Sequence, residues 1–324
     1  MNGFFVSAAI AVASMIAWPL TVLSQDYPSR PIRILVGFSP GGGADLIGRT
    51  FAQRLSESLG QPVTVENRPG ANGNLSAELA ATLPADGHTI LVITGAHTIS
   101  QSLYTNLRYN LERDFAPVAY VGRVSLVLVV NSSSKIASFQ EFLSGARARP
   151  GALNYGTSGN GSAEHLAGAM LEQMADVKIT HVPFKGGSDA MAALLGGHIA
   201  TSITTPATAN SYIKSGQLVP LAVTTATRTK QQPDVPAIAE TDGLRGYELT
   251  TLYGIVVRSG TPKAMVDRLN IAINKALAHP DTVKTFDRVM VEPTGGSPEE
   301  FGAVIKESVR RFGRVANTAN LKLD

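Results

Sequence analysis

The chain has 324 residues, 44% hydrophobic, 16% charged and 6% aromatic, which excludes a disordered or collagen-like polymer and leaves room for two domains. Lys+Arg 28 against Asp+Glu 25 gives a net charge of +3, and no basic cluster marks a nucleic-acid footprint. With no cysteine, disulfides, thiolate metal sites, iron–sulfur clusters and a Cys nucleophile are excluded.

Residues 1–24 read as a secretory signal peptide. Phe4 to Ala17 is almost wholly apolar and small, Pro19 breaks it, and Val22 and Ser24 occupy −3 and −1 of a cleavage point before Gln25. The apolar run is short for a membrane span, and only the α-amino group makes the preceding region positive, since the first basic residue is Arg30. No Cys follows to carry a lipid, and no later stretch is long and apolar enough to span a bilayer. The mature chain is therefore expected to be soluble and exported, with a retained anchor as the alternative.

From Ile32 the pattern alternates. Ile32 to Val36 predicts a buried strand, Gly37 to Asp45 a glycine-rich loop, and Ile47, Phe51, Leu55 and Leu59 one helix face closed by Gly60 and Pro62. Val63 to Val65 is a second strand and Asn67 to Asn74 a second loop. Leu75, Leu79 and Leu83 then mark a second helix face, ended by Pro84 and the Asp86-Gly87 turn. Thr89 to Ile93 is a third strand. Strands and helices in this order with short loops predict a parallel sheet covered on both faces.

Leu126 to Val130 begins a second unit. Leu153 to Tyr155 leads through Gly156–Gly161 to a helix with Leu166, Met170 and Met174 on one face. Lys178 to Val182 is a strand, Pro183 to Ser188 a loop, and Asp189 to Leu195 a short helix stopped by Gly196-Gly197. A strand from Ile199 to Ile203, a Thr-Pro turn, a helix to Ser215-Gly216 and a strand from Leu218 to Thr224 complete it. The tail is helical: Thr261-Pro262 opens one helix, with Leu269, Ile273 and Leu277 inward. Ser297 to Glu300 is a capping box opening the last, with Phe301, Ile305, Val309 and Phe312 inward and Lys306, Arg310, Arg311 and Arg314 as a solvated basic face.

Three loops follow a strand and open a helix: Phe38-Ser39-Pro40-Gly41-Gly42-Gly43-Ala44-Asp45, Gly156-Thr157-Ser158-Gly159-Asn160-Gly161-Ser162, and Pro183-Phe184-Lys185-Gly186-Gly187-Ser188. Glycines let backbone N–H groups approach a ligand, and helix N-termini favour anions, so such loops suit a carboxylate or phosphate. Tight turns alone would also use these glycines, and Asp45 alone is an ordinary N-cap. Enzymatic readings fit less well. Gly41-x-Gly43 with Glu66 lacks the third glycine of a dinucleotide loop, which is Leu46 here, and Lys185 is followed by Gly186-Gly187 instead of Ser or Thr. Gly156-x-Ser158-x-Asn160 narrowly misses a nucleophile elbow, leaving an exported α/β hydrolase using Ser158 as the alternative. The histidines His88, His97, His165, His181, His198 and His279 contain no i,i+4 pair, so neither a metal nor a cofactor is expected.

Tyr27-Pro28-Ser29-Arg30-Pro31-Ile32-Arg33, then Pro40-Gly41-Gly42-Gly43-Ala44-Asp45 and Glu66-Asn67-Arg68-Pro69-Gly70-Ala71-Asn72-Gly73-Asn74 resemble Bug-type solute receptors of tripartite tricarboxylate transporters. Gly159-Asn160-Gly161-Ser162, His181-Val182-Pro183-Phe184-Lys185-Gly186, Pro233-Asp234-Val235-Pro236 and Gly260-Thr261-Pro262 continue the resemblance over essentially the whole mature chain. It implies two doubly wound α/β domains with a hinge and interdomain cleft, a Venus flytrap of the type II periplasmic binding protein kind. Domain 1 would be 25–125 and 250–324, and domain 2 126–249.

The same resemblance implies a periplasmic monomer that is not an enzyme. It would hold a small organic carboxylate through N–H groups, hydroxyls and waters, and deliver it to the large and small membrane subunits of a secondary transporter. A sensor for a signalling partner begins with the same binding event. The residues expected at the ligand are Phe38, Ser39, Gly41, Gly42, Gly43, Ala44 and Asp45 from one domain, with Ala96 and His97; Thr157, Ser158, Asn160, Ser162, Lys185, Thr204 and Thr205 come from the other. The family often has Asp where this chain has Ala200 and Thr204, and Trp-Phe where it has Leu252-Tyr253. These departures lead to the expectation of a dicarboxylate without an amine, with aromatic diacids such as phthalate and terephthalate on the shortlist.

Overall fold

The computed structural model describes residues 27–318, with side chains to 316, so the expected signal peptide at 1–24 lies outside the described residues. The chain runs β1 (Ile32–Val36), α1 (Gly43–Leu59), β2 (Val63–Asn67), α2 (Asn74–Thr82), β3 (Thr89–Thr94), α3 (Gly95–Leu103), α4 (Leu111–Asp114) and β4 (Phe115–Ser125). It continues through β5 (Val127–Asn131), α5 (Phe139–Ala148), β6 (Asn154–Thr157), α6 (Ala163–Ala175), β7 (Thr180–Pro183), α7 (Gly187–Leu195), β8 (Thr201–Thr204), α8 (Pro206–Lys214) and β9 (Leu218–Val223). It ends with β10 (Thr250–Arg258), α9 (Lys263–Leu277), α10 (Pro280–Arg288), β11 (Val291–Pro293) and α11 (Pro298–Thr318).

These strands form two sheets, in the orders β11-β4-β10-β3-β1-β2 and β7-β6-β8-β5-β9. The expected parallel runs are present as β2-β1-β3 and β7-β6-β8. Both sheets are nevertheless mixed, because β10 runs against β3 and β4, and β5 against β8 and β9. Neither β4 nor β10 is evident in the sequence as a strand. Each carries a glycine that blurs the hydrophobic pattern, and a Cβ on Gly254 would collide with the Phe301 ring of α11.

Period-two burial builds the core on both faces of the first sheet. Ile34, Val36, Ile90, Val92 and Ile255 pack with Phe51 and Leu55 of α1 and Leu269 and Ile273 of α9. Leu35, Leu91, Ile93 and Val256 face Ala77 of α2 and Phe301 and Ile305 of α11. The helix α2 departs from expectation: Leu75 is exposed, while Ser76, Ala77 and Ala80 are buried. Small residues face inward there because a Cβ at Gly37 would already lie 2.6 Å from the Gly73 backbone and the Ser76 hydroxyl. The last helix has its capping box, with Ser297 N–H donating to Glu300 (2.8 Å) and Glu300 N–H to Ser297 (3.1 Å). Its C-terminal end, Phe312 and Ala316, packs with Leu128, Leu166 and Tyr247 in the core of the second sheet. The helix thus packs in two core clusters, one at each sheet.

Candidate functional site

The loops after β1, β3, β6, β7 and β8 converge between the sheets, around a cavity of about 40 Å³. Five helix N-termini reach it. Gly42, Gly43 and Ala44 come from α1, Thr94 and Ala96 from α3, Ala163 and Glu164 from α6, Gly187 from α7, and Thr205 and Thr208 from α8. Phe38, Ser158, Thr251 and Tyr253 complete the wall. The N-caps of α1, α7 and α8 (Gly42, Gly186 and Thr205) make no side-chain cap hydrogen bond, so first-turn N–H groups are left for another partner. Each N-terminus also carries about half a unit of positive charge. Among the described residues, no Lys, Arg or His side chain lines the cavity.

Of the expected residues, Phe38, Gly42, Gly43, Ala44, Ala96, Ser158 and Thr205 wall the cavity. The others stand beside or behind it. Ser39 crosses the cleft, its hydroxyl donating to Asp189 of α7 at 2.8 Å. Gly41, at φ 83°, shapes the first loop and donates its N–H to Asp45. The Asp45 carboxylate also accepts from Arg49 (2.8 Å) and Asn67 (3.0 Å). Burial raises its pKa, but these three donors together hold it below the ordinary carboxylate value. It braces the loop. His97 is fully buried, accepts from Thr94 N–H at 3.1 Å, and completes the cap of α3. Ser162 caps α6, Thr157 bonds Gly159 N–H and pairs with His181, and Asn160 and Lys185 are exposed. Thr204 is buried beside Gly187 with no partner for its hydroxyl.

Sequence reasoning missed Glu164, Thr94, Thr208, Thr251 and Tyr253. Glu164 had no separate signal, because an acid two residues past an N-cap is ordinary helix chemistry. Its carboxyl accepts from Ser158 at 2.9 Å and is pushed up by burial. Tyr253 lies on β10 facing α1, while its neighbour Leu252 turns to the opposite face, among Leu35, Ala77 and Phe301. Position 252 therefore does not shape the cavity, and the argument for an aromatic ligand from a missing Trp fails on this alternation. The hydroxyl of Ser158 is also engaged by an acid. His165 accepts from Gly161 N–H (3.1 Å) and His181 pairs with Thr157 (2.6 Å), so these bonds of the two imidazoles do not prime Ser158 as a nucleophile.

A family model, tripartite tricarboxylate transporter family receptor, matches residues 47–321. The chain belongs to this receptor family. Among its relatives, the protein BugT of Bordetella pertussis is 32% identical over 304 residues, covering 93% of each chain. Two solved structures from Rhodopseudomonas palustris have the same fold. Rpa4515, solved with adipate, is 35% identical with TM-score 0.87, covering 91% of this chain and 99% of that one. MatC, with bound malate, is 27% identical with TM-score 0.84, covering 89% and 99%. A larger open groove of about 600 Å³ lies on the outer side of this receptor between α9 and α11. Its lysines, Lys263 and Lys306, are paired with Asp267 and Glu112.

Proposed function

We propose that the chain is a periplasmic solute-binding protein that captures a small organic carboxylate in the interdomain cavity. It delivers the ligand to the large and small membrane subunits of a tripartite tricarboxylate-type transporter. The observation that carries this reading is the meeting of five helix N-termini on a cavity without a basic side chain. Neutral N–H and hydroxyl donors hold a carboxylate without burying an unpaired cation. Adipate and malate in the two structural relatives are both dicarboxylates, which supports a diacid here. Residues 1–24 act as the export signal, residues 126–249 form the second domain, and the mature receptor works as a monomer. Closure rotates that domain about the segments joining β4 to β5 and β9 to β10.

The test is a thermal-shift screen of the chain from Gln25 onward against mono-, di- and tricarboxylates, amino acids and aromatic acids. Trp18, the single tryptophan, precedes that start, so an extrinsic dye reports unfolding. Ligand at ~1,000 times its Kd stabilises the fold by about 4 kcal/mol, a shift of several degrees. Stabilisation confined to related acids is expected. No shift across the panel, with no small molecule in a denaturing extract, would sink the reading.

A further inference from the structure

We propose that Glu164 carries a proton opposite the bound carboxylate, so that closing the cleft on the anion takes up one proton from solution. The inference rests on the carboxylate-receptor reading and adds its proton linkage. Its basis is geometric. Glu164 lines a cavity of about 40 Å³, so a ligand carboxylate inside lies roughly 4–6 Å from it, where like charges exclude each other's ionised form. The wall supplies no cation to neutralise a second anion. Ser158 donates to Oε2, and Ser162 and the Glu164 backbone N–H also bond the carboxyl; burial outweighs these three donors, and a protonated carboxyl keeps an O–H to present to the ligand.

The groups around Glu164 leave it as the site that changes charge. Tyr253 from β10 is the titratable residue facing it, and burial followed by the Glu164 charge pushes that phenol up, so it stays neutral. Asp45 on α1 is committed to Arg49, and Asp189 on α7 receives Ser39. His97 on α3 is buried and held down to about 4. On its own helix, His165 is likewise held down to about 4 and stacks on His181. The walls from α8 are Thr205 and Thr208. With the cleft open, water reaches Glu164 and favours its ionised form; closure removes that water and brings a second anion. The proton comes from buffer, stays on Glu164, and returns to solution on release.

Calorimetry tests this with whichever of adipate, malate, succinate or terephthalate gives the largest thermal shift. Titrations in phosphate and in Tris between pH 6.5 and 8.5, where these acids are ionised, give the number of protons exchanged. Uptake approaching one proton per ligand is expected at the upper end, with Kd weakening up to about tenfold per pH unit as pH rises. Glu164→Gln should exchange none and show a flat Kd. Binding by the natural chain without proton exchange, or uptake that persists in Glu164→Gln, overturns the inference and leaves the receptor function standing. If none of the four acids binds and the wider screen is also silent, the carboxylate reading falls and takes this inference with it.

Discussion

His165 and His181 stack with ring centroids 3.8 Å apart and planes 9° from parallel, directly behind the Gly156–Ser162 loop. Burial holds His165 down to about 4, and burial together with its stacked neighbour holds His181 down to about 3, from an ordinary 6.5. His97, fully buried under α3, is held down to about 4. In the unfolded chain each titrates near 6.5. Between pH 6.5 and about 4 the unfolded chain therefore holds protons that the native one lacks. Stability is intact above that window and falls as pH drops through it. For His97 alone the slope is about 1.4 kcal/mol per pH unit, and the stacked pair adds in the same direction. Urea unfolding at pH 7.5, 6 and 5 should show the loss, made shallower in His97→Gln. A stability unchanged from pH 7.5 to 5 would contradict neutral burial.

At the scale of elements, Thr224 fastens the two segments that cross between domains. Its hydroxyl donates to the Leu249 carbonyl at 2.6 Å and accepts from Leu126 N–H at 2.9 Å. Its own backbone bonds both segments again, donating to Leu126 and accepting from Leu249. Thr224→Val keeps the shape and deletes the hydroxyl, leaving a buried N–H and carbonyl short of partners. It should cost about 1–3 kcal/mol, read as a lower denaturant midpoint with an unchanged slope. A loss below about 0.5 kcal/mol would mean that water replaces the hydroxyl.

At the scale of the whole molecule, the two sides of the cleft are joined by contacts far apart in sequence. Ser39 from the first loop donates to Asp189 of α7, and Asn210 of α8 donates to the Arg288 carbonyl at 2.5 Å. These bonds join opposite sides of the cleft, so a rotation that opened it would have to break them. Ser39→Ala should weaken carboxylate binding about five- to tenfold by calorimetry, the size of one ordinary net hydrogen bond of about 1–1.4 kcal/mol at this exposed position. Equal affinity in Ser39→Ala would show that this bond does not contribute to closure. The helix α11 also ties the two halves together, because Phe301 and Phe312 sit in different core clusters.

The amino-acid order alone determined the parallel strands, the glycine loops at their ends and most helix boundaries. These follow from local rules: apolar runs, periodic faces, capping residues and turn glycines, each acting within a few residues. It also determined that two of the helices would open without a side-chain cap, since Gly42 and Gly186 carry no side chain to supply one. Tertiary structure alone decided which loop residues reach the cavity. Asp45 and Ser39 look like ligand contacts by position, but they brace the first loop and bridge the cleft, because their partners Asn67 and Asp189 lie 22 and 150 residues away. Tyr253 and Glu164 enter the wall for the converse reason. One depends on the reversed strand β10 lying beside β3, and the other on the second domain meeting the first, and neither arrangement is written in the residues around them.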